Sequence, residues 1–326
     1  MSEPSVIVRQ QKQLGRLTLN RPAAINALTA EMVTVIARTL DGWVFDDRIR
    51  TVVIDGAGER GLCAGGDIRA IHADAVSGGT ASLDFWAEEY RLNATIAAYP
   101  KPIVACMDGV VMGGGIGISA HASVRVVTER SRLAMPEVGI GFHPDVGGSW
   151  LLSRAPGEIG THLALTGSAV GAGDGIAAGL ADHYVPSARL PELLGHGDVT
   201  LVAEAPPPAD LDRGWIDECY AGDDVAVILD RLASHPHPAA QAAAKEIATR
   251  SPTSLVLTLR SLREAAGLPD LRAALDAELR LSALMLRLPD LAEGIRAQII
   301  DKDRRPRWQP ATVAEAAAAL GTPPHR

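Results

Sequence analysis

Hydrophobic residues near the start of the chain recur in two patterns, one typical of strands and one typical of a helix. Two β-rich runs, 5–9 and 16–19, lie on either side of polar residues and Gly15 and predict an opening hairpin. After Thr29, a suitable N-cap, apolar positions recur at spacings of four, four and three. The residues with this spacing are Met32, Ile36, Leu40 and Trp43. They share one helical face, so an amphipathic helix is predicted.

Further along, short apolar runs alternate with helical patterns. The runs 51–54 and 103–106 predict buried strands, and the second is followed by three glycines, Gly113 to Gly115, and a helix. Strands that alternate with helices and end in glycine-containing turns predict an α/β architecture. Ligand chemistry in such folds is expected in the loops at the ends of the strands.

The chain becomes rich in Ala, Leu and Arg after about residue 200. Leu271, Leu275 and Leu279 recur every four residues and Leu286 lies two turns further on, which predicts one apolar helical face. We therefore predict a catalytic core over residues 1–200 and a helical C-terminal region over 201–326 that packs on it. The alanine-rich tail at 316–319 is expected to fray.

Composition narrows the class of protein. The 326 residues are 47% hydrophobic and 21% charged, which is enough to bury a large core. The net charge of -8 supplies no basic field to attract nucleic acid. No run of about 18 apolar residues predicts a membrane span. We therefore expect neither nucleic acid nor a membrane as a partner.

The three cysteines carry no metal-binding or disulfide signature. Cys63, Cys106 and Cys219 are far apart and lack the CxxC or Cys/His spacing of a zinc site. The first residues also lack the apolar core of a signal peptide. A cytoplasmic location is the resulting expectation.

The first segment with candidate chemistry is the loop 63–69, which contains Ala64, Gly65, Gly66, Asp67, Ile68 and Arg69. One interpretation is a tight turn that enters a helix with Asp67 as its cap. The other is that the small residues allow backbone N–H groups to point at a ligand oxygen.

The second segment is the glycine triplet, Gly113 to Gly115, between a predicted strand and a predicted helix. Consecutive glycines cost backbone entropy, so a close approach of the backbone or a positive φ must require them. Either the helix packs closely on the strand, or its N-terminal N–H groups face a developing oxyanion.

The third segment, 134–149, carries Glu137 and Asp145 on either side of a loop rich in Gly and Pro. By default Asp145 caps the next helix and Glu137 is a solvated loop residue. The residues between them include the apolar Val138, Ile140 and Phe142. In an apolar loop beside an oxyanion hole, such carboxylates act instead as general bases or nucleophiles.

The order of these segments resembles the crotonase (enoyl-CoA hydratase/isomerase) superfamily. The matching motifs are Asn20-Arg21-Pro22, the loop 64–68, the Gly113 triplet and Pro136-Glu137. The resemblance implies a ββα superhelix with a helical C-terminal region. It also implies that the N–H groups of Gly66 and Gly114 hold a thioester carbonyl oxygen, and that the first loop contacts coenzyme A.

Side chains favour one branch of that superfamily. A typical hydratase carries a second glutamate three residues after the middle glycine, where this chain has Gly117. The string from Met135 through Glu137 and Asp145 to Gly148 instead resembles the 3-hydroxyisobutyryl-CoA hydrolase branch. By that pattern Glu89, Gly114, Glu137 and Asp145 contact the substrate, although Glu89 alone would be interpreted as an exposed helix residue.

The resemblance implies hydrolysis of a short 3-hydroxyacyl-CoA, in the pathway of valine breakdown. No cofactor is expected, because coenzyme A is part of the substrate. Arg21 and Arg69 beside the first loop are candidates to bind its phosphates. His143 departs from the usual aromatic or apolar residue. Its imidazole either lowers the pKa of Asp145 when protonated or faces solvent, and we expect the second.

Two other functions stay open. The chain could be an enoyl-CoA hydratase or isomerase with Glu137 as the base, or a non-catalytic paralogue that binds acyl-CoA. The resemblance also implies a possible homo-oligomer, a trimer or a hexamer.

Overall fold

The computed structural model of the protein describes residues 3–309, and these form two compact units. Within the described residues, the first unit comprises the chain up to Asp67, then Ala87–Ala134 and Ala169–Asp210. The second comprises Ile68–Trp86, Met135–Ser168 and the chain from Leu211 onward. Each unit has residues from both sides of position 200, and the predicted boundary there stays a prediction. The alanine-rich stretch at 316–319 lies outside the described residues.

The strands lie in the first unit. In chain order they are β1 Val6–Gln11, β2 Leu14–Leu19, β3 Thr51–Gly56, β4 Ile103–Met107, β5 Val110–Met112, β6 Val124–Val127, β7 Arg132–Ala134 and β8 His183–Tyr184. Six of them form one sheet in the order β1-β2-β3-β4-β6-β8, and β5 pairs with β7 in a second, small sheet. Only the β1–β2 pair is antiparallel among these pairings.

The predicted hairpin is confirmed, with one correction. β1 and β2 pair from Val6 with Leu19 to Gln11 with Leu14, so Gly15 lies inside β2 and not in the turn. The turn uses Lys12, which has a φ of 54°. Gly15 is required for packing, because a Cβ there would lie 2.6 Å from the ring of Trp43.

The central strands and the first helix match their sequence patterns. In β3 and β4 the continuous apolar runs are buried on both faces of the sheet, as in other parallel sheets. The Thr29 side chain accepts a hydrogen bond from the N–H of Met32 and begins the first helix, and the four predicted apolar residues of this helix are buried. Both predictions are confirmed.

Helices occur in both units. In chain order they are α1 Ala30–Val44, α2 Ile68–Ser77, α3 Ala81–Ala97, α4 Gly114–Ser119, α5 Gly148–Leu152, α6 Ile159–Thr166, α7 Ala172–Ala177, α8 Leu190–His196, α9 Arg213–Tyr220, α10 Val225–Ser234, α11 Pro238–Ile247, α12 Pro252–Ala266, α13 Leu271–Met285 and α14 Pro289–Ile295. Short 3-10 helices cover Pro22–Ala24, Glu137–Ile140, Ser187–Arg189 and Val199–Leu201, and a π-helix covers Arg296–Ile300. Over residues 3–309, no helix is both long and apolar enough to cross a membrane.

The predicted leucine face of α13 is only partly correct. Leu275 and Leu286 are buried, whereas Leu271 and Leu279 are half-buried. The buried face of the helix is centred beside the leucines and includes two polar residues, Glu278 and Ser282. Its other members are Ala274, Leu281 and Met285. The leucine pattern missed this displacement because a glutamate at a helical position is normally assigned to the exposed face.

Candidate active site

Three of the candidate site residues lie together in the first unit. A Cβ placed on Gly114 would be 2.5 Å from Oε1 of Glu89 and 3.4 Å from the backbone nitrogen of Gly66. Any side chain at position 114 would therefore collide with Glu89. Glycine is required here so that the backbone can approach a buried carboxyl group and a second backbone N–H.

The first glycine loop is shaped by hydrogen bonds on both sides of Gly66. The N–H of Leu28 donates to the Gly65 carbonyl oxygen at 2.8 Å, and the N–H of Asp67 donates to the Leu28 carbonyl oxygen at 2.9 Å. Gly65 has a φ of 106°, in a region that favours glycine. Gly66 itself is half-buried, so a ligand can reach its backbone.

The glycine triplet supports both interpretations offered for it. A Cβ on Gly115 would lie 2.5 Å from the Cys63 carbonyl oxygen, so this glycine serves close packing. Gly114 is the first residue of α4, and the first N–H groups of a helix have no partner within it. Backbone donors at a helix N-terminus suit a developing negative charge.

Glu89 is buried, contrary to the default expectation for a glutamate on a helix. Only 2% of its surface is exposed, whereas its neighbour Glu88 is exposed and pairs with Arg91. The sequence shows two adjacent glutamates, and only the fold distinguishes the one that faces Gly114.

The candidates near the start of the first loop have partners inside the first unit. Arg21 pairs with Asp67 at 3.1 Å and donates to the Ala27 carbonyl oxygen at 2.5 Å. The carboxyl group of Asp67 is thus engaged by an arginine, immediately before α2 begins. Ala64 is half-buried, and its N–H donates to the Ile25 carbonyl oxygen at 2.9 Å.

Two further candidates belong to α2 of the second unit. Ile68 begins this helix and is half-buried. Arg69 is exposed, and its guanidinium lies 3.4 Å from the Ile299 carbonyl oxygen, which is a weak contact. Most of its five donors remain available to a ligand.

The two carboxylates of the third segment are buried in the second unit. Glu137 begins a 3-10 helix and is 7% exposed, and Asp145 is 6% exposed. Glu137 is therefore not a solvated loop residue. The N-cap of α5 is Gly147, so the default role predicted for Asp145 is also wrong.

His143 does not face solvent, which corrects the prediction. It is fully buried, and Nδ1 lies 3.1 Å from the Pro144 carbonyl oxygen while Nε2 lies 3.0 Å from Oγ of Ser282. A carbonyl oxygen can only accept, so the proton is on Nδ1 and Ser282 donates to Nε2. Burial lowers the pKa of His143 to about 3, which excludes a cationic neighbour for Asp145 at neutral pH.

A buried glutamate that the sequence patterns did not predict holds this loop. Glu278 of α13 is fully buried and accepts hydrogen bonds from Gly147 and Ser149. Burial raises the pKa of Glu278 to about 8; the hydrogen bonds oppose this shift and the charge of Asp145 adds to it. The spacing of residues could have indicated this burial. Glu278 lies one helical turn after both Ala274 and Leu275, so it shares the apolar face of the helix.

The cysteine at the start of the first loop is not a nucleophile. Burial raises the pKa of Cys63 to about 12, so its thiol stays neutral. The groups with suitable chemistry are instead the backbone donors of the first unit and the buried carboxyl groups of both units.

Known proteins resemble the chain over nearly its whole length. The sequence pattern of the enoyl-CoA hydratase/isomerase family matches residues 14–321. The mitochondrial 3-hydroxyisobutyryl-CoA hydrolase of Gallus gallus is 39% identical, over 96% of this chain and 86% of its own. That of Danio rerio is 40% identical, over 95% and 86%.

Solved structures with other names also match. A carnitinyl-CoA dehydratase from Mycobacterium thermoresistibile is 50% identical with a TM-score of 0.94, over 98% of this chain and 97% of its own. An enoyl-CoA hydratase from Rhodobacter sphaeroides is 45% identical with a TM-score of 0.88, over 98% of each chain. The similar proteins are thus named for two kinds of reaction: thioester hydrolysis, and the removal or addition of water.

Proposed function

The chain belongs to the enoyl-CoA hydratase/isomerase family, and we propose that it hydrolyses a short 3-hydroxyacyl-CoA of the 3-hydroxyisobutyryl-CoA type to the free acid and coenzyme A. The observation that carries this proposal is the burial of both Glu137 and Asp145, together with the lack of a side chain at Gly117. Curated hydrolases at 39% and 40% identity support it.

In the proposed reaction the N–H groups of Gly66 and Gly114 donate to the thioester carbonyl oxygen. Attack at the carbonyl carbon moves negative charge onto that oxygen, and fixed donors stabilise the charge without reorganisation. The close approach of Gly66 to Gly114 supports this role for the pair. Loss of one such donor typically slows a reaction by roughly a hundredfold or more.

Glu137 supplies the nucleophilic step by one of two routes. Either its carboxylate attacks the thioester carbon to give a mixed anhydride, which water then hydrolyses, or it removes a proton from the attacking water. In both routes the C–S bond breaks and the thiolate of coenzyme A takes up a proton. We assign to Asp145 the orientation of the water and the management of that proton.

Glu89 is proposed to bind the 3-hydroxyl group of the acyl chain. A carboxylate accepts hydrogen bonds, and a hydroxyl group of the substrate can donate one. Its position against Gly114 supports a contact near the thioester carbonyl. The proposed enzyme therefore selects hydroxyacyl groups over plain acyl groups.

Coenzyme A binding is proposed to use local cations, since the protein as a whole is acidic. Arg69 is exposed and Arg21 is half-buried beside Asp67, so Arg69 is the stronger candidate for a phosphate. Arg69→Glu should raise KM at low ionic strength, and Arg272→Glu, an exposed change on α13, is the matched control. An unchanged KM for both would remove Arg69 from the proposal.

A hydratase or dehydratase is the second candidate function. It is favoured by the 50% identity to a protein named carnitinyl-CoA dehydratase. It is opposed by Gly117, because water addition needs acid and base groups near both carbons of the double bond. A non-catalytic acyl-CoA-binding protein stays a weaker alternative, since both carboxylates are retained.

The deciding experiment offers the purified protein 3-hydroxyisobutyryl-CoA, 3-hydroxypropionyl-CoA and crotonyl-CoA. Free thiol and enoyl absorbance are followed in parallel. Thiol release from the hydroxyacyl substrates supports the hydrolase. Loss of enoyl absorbance without thiol would replace it by a hydratase, and no turnover of any substrate would favour the binding protein.

The biological setting is proposed on the same basis. We place the reaction in valine breakdown, in the cytoplasm, with no cofactor besides the coenzyme A of the substrate, and in a trimer or hexamer. The curated relatives are named as mitochondrial proteins. Cell fractionation tests the location, and sedimentation of the purified protein tests the assembly.

A further inference from the structure

A carboxyl group lies at the centre of the buried face of α13. Glu278 has no exposed surface, and it lies among apolar residues of the same helix, such as Ala274 and Leu281. Burial of a carboxyl group is costly unless its oxygen atoms are hydrogen-bonded. The groups that donate hydrogen bonds to Glu278 therefore show which segment of the second unit it stabilises.

Both oxygen atoms of Glu278 accept from the turn that follows Asp145. Oε2 accepts from the N–H of Gly147 at 2.7 Å, and Oε1 accepts from the N–H of Ser149 at 2.9 Å. The Ser149 hydroxyl donates to Oε1 as well. A backbone N–H thus faces each oxygen, so an amide in place of the carboxyl group would leave one N–H against an NH₂.

The segment held in this way has an unfavourable backbone conformation. Val146 has a φ of 53°, in the left-handed region that β-branched residues rarely adopt, and Gly147 follows with a φ of 80°. Such a conformation persists only where surrounding contacts enforce it. The bond from Gly147 to Glu278 is such a contact, one residue after Val146 and two after Asp145.

The other side of Asp145 is anchored to the same helix. His143 contacts Ser282, which lies one helical turn after Glu278. α13 therefore holds the loop at His143 and again at Gly147 and Ser149, with Asp145 between the two anchors. Asp145 is also close enough for its charge to contribute to the raised pKa of Glu278.

We propose that Glu278 is a positioning residue, which enforces the left-handed turn at Val146 and Gly147 and thereby fixes the carboxyl group of Asp145 for the reaction. This inference rests on the proposed role of Asp145. Glu278 is not proposed to touch the substrate. It acts only through the backbone that carries Asp145.

The test compares Glu278→Gln with wild-type protein on 3-hydroxyisobutyryl-CoA at about pH 9, because the pKa of Glu278 is raised to about 8 and both of its oxygen atoms accept only in the ionised form. The amide preserves size but can accept from only one of the two N–H groups, so the turn relaxes and Asp145 shifts. A misplacement of about 1 Å typically costs on the order of a hundredfold in rate. We expect kcat to fall by about that factor while KM changes by less than about threefold, because binding contacts remain.

The matched control is Tyr220→Phe. It removes another buried hydrogen bond of the second unit, between the Tyr220 hydroxyl and Nδ1 of His162, and makes no change in the loop 143–149. Both variants should lower the melting temperature, but only Glu278→Gln should lower kcat. If Glu278→Gln loses melting temperature and keeps the wild-type kcat, Glu278 is merely structural and the proposal is wrong.

A second variant covers the case in which Glu278→Gln does not fold. Glu278→Asp keeps two accepting oxygens on a shorter side chain, so a kcat below wild type at unchanged KM supports the proposal and an unchanged kcat overturns it. Failure of the proposed function is distinct, because wild-type protein would then release no thiol. The comparison of kcat with KM would in that case use crotonyl-CoA, if the wild-type protein hydrates it.

Discussion

The two units present candidate chemistry in different ways. In the first unit the key groups are backbone N–H groups, placed by glycines at positions 66 and 114. In the second unit the key groups are the side chains of Glu137 and Asp145, on a loop anchored by α13. The positions of the backbone donors depend on glycines, which lack side chains. The positions of the carboxylates depend on burial and on contacts with residues far away in the sequence. The two regions should therefore respond differently to substitution.

The largest effect is expected from isosteric changes in the second unit. Glu137→Gln and Asp145→Asn keep the shape of the loop but remove the charge, and loss of such a group costs roughly 10² to 10⁴ in rate. Thiol release from 3-hydroxyisobutyryl-CoA should collapse in both variants with little change in melting temperature. Near-normal rates in either would remove that residue from the mechanism.

A somewhat smaller loss is expected from Gly114→Ala in the first unit. The new Cβ would lie 2.5 Å from Oε1 of Glu89, so the backbone must shift. The N–H of residue 114 would then no longer point at the thioester carbonyl oxygen. We expect kcat/KM for thiol release to fall by roughly a hundredfold. Gly171→Ala is the control, because nothing lies within 4 Å of its Cβ position. Equal activity of the two variants would contradict a backbone-built site.

Glu89→Gln tests the carboxyl group that lies beside Gly114 in the first unit. If Glu89 accepts a hydrogen bond from the 3-hydroxyl, the amide weakens a contact worth about 1.5–3 kcal/mol as a charged hydrogen bond. The ratio of kcat/KM for 3-hydroxyisobutyryl-CoA over isobutyryl-CoA should fall by about tenfold. An unchanged ratio would place hydroxyl recognition elsewhere.

The smallest effect concerns stability of the second unit at acid pH. Burial lowers the pKa of His162 to about 4, from 6.5 in the unfolded chain. Between these values the unfolded state binds more protons, so stability is fully present above about pH 6.5 and is lost as pH falls toward 4. The slope is at most about 1.4 kcal/mol per pH unit.

His162→Gln should therefore flatten the dependence of unfolding free energy on pH between 6.5 and 4, measured by urea titration. His143, whose pKa is lowered to about 3, contributes with the same sign and remains in the variant. Glu278 contributes with the opposite sign, because its raised pKa makes stability fall as pH rises from about 4.5 to about 8. An unchanged slope in His162→Gln would show that His162 titrates normally.

Local patterns predicted much of the first unit correctly. Thr29 and the apolar positions after it specified α1, and the continuous apolar runs specified β3 and β4. The solved structures at 50% and 45% identity confirm the crotonase-like α/β fold that the motifs implied. These features depend on neighbours within a few residues, so a single sequence contains the information.

Errors of prediction concentrate where distant segments decide the environment. His143 was expected in solvent and is buried against Ser282, 139 residues away. Glu89 and Glu88 are adjacent and chemically identical, yet one is buried and the other exposed. Glu278 is polar and yet fully buried, because its partners Gly147 and Ser149 lie about 130 residues earlier in the chain.

The order of residues along the chain is enough to specify the regular elements, the family motifs and the set of glycines and carboxylates available for chemistry. Which of these residues are buried follows from the folded chain, because burial depends on packing between segments far apart in the sequence. The same packing places Gly114 against Glu89, keeps His143 neutral and brings Glu278 to the turn after Asp145. A buried polar group must find its partners within the protein, and those partners are specified by the fold and not by adjacent residues.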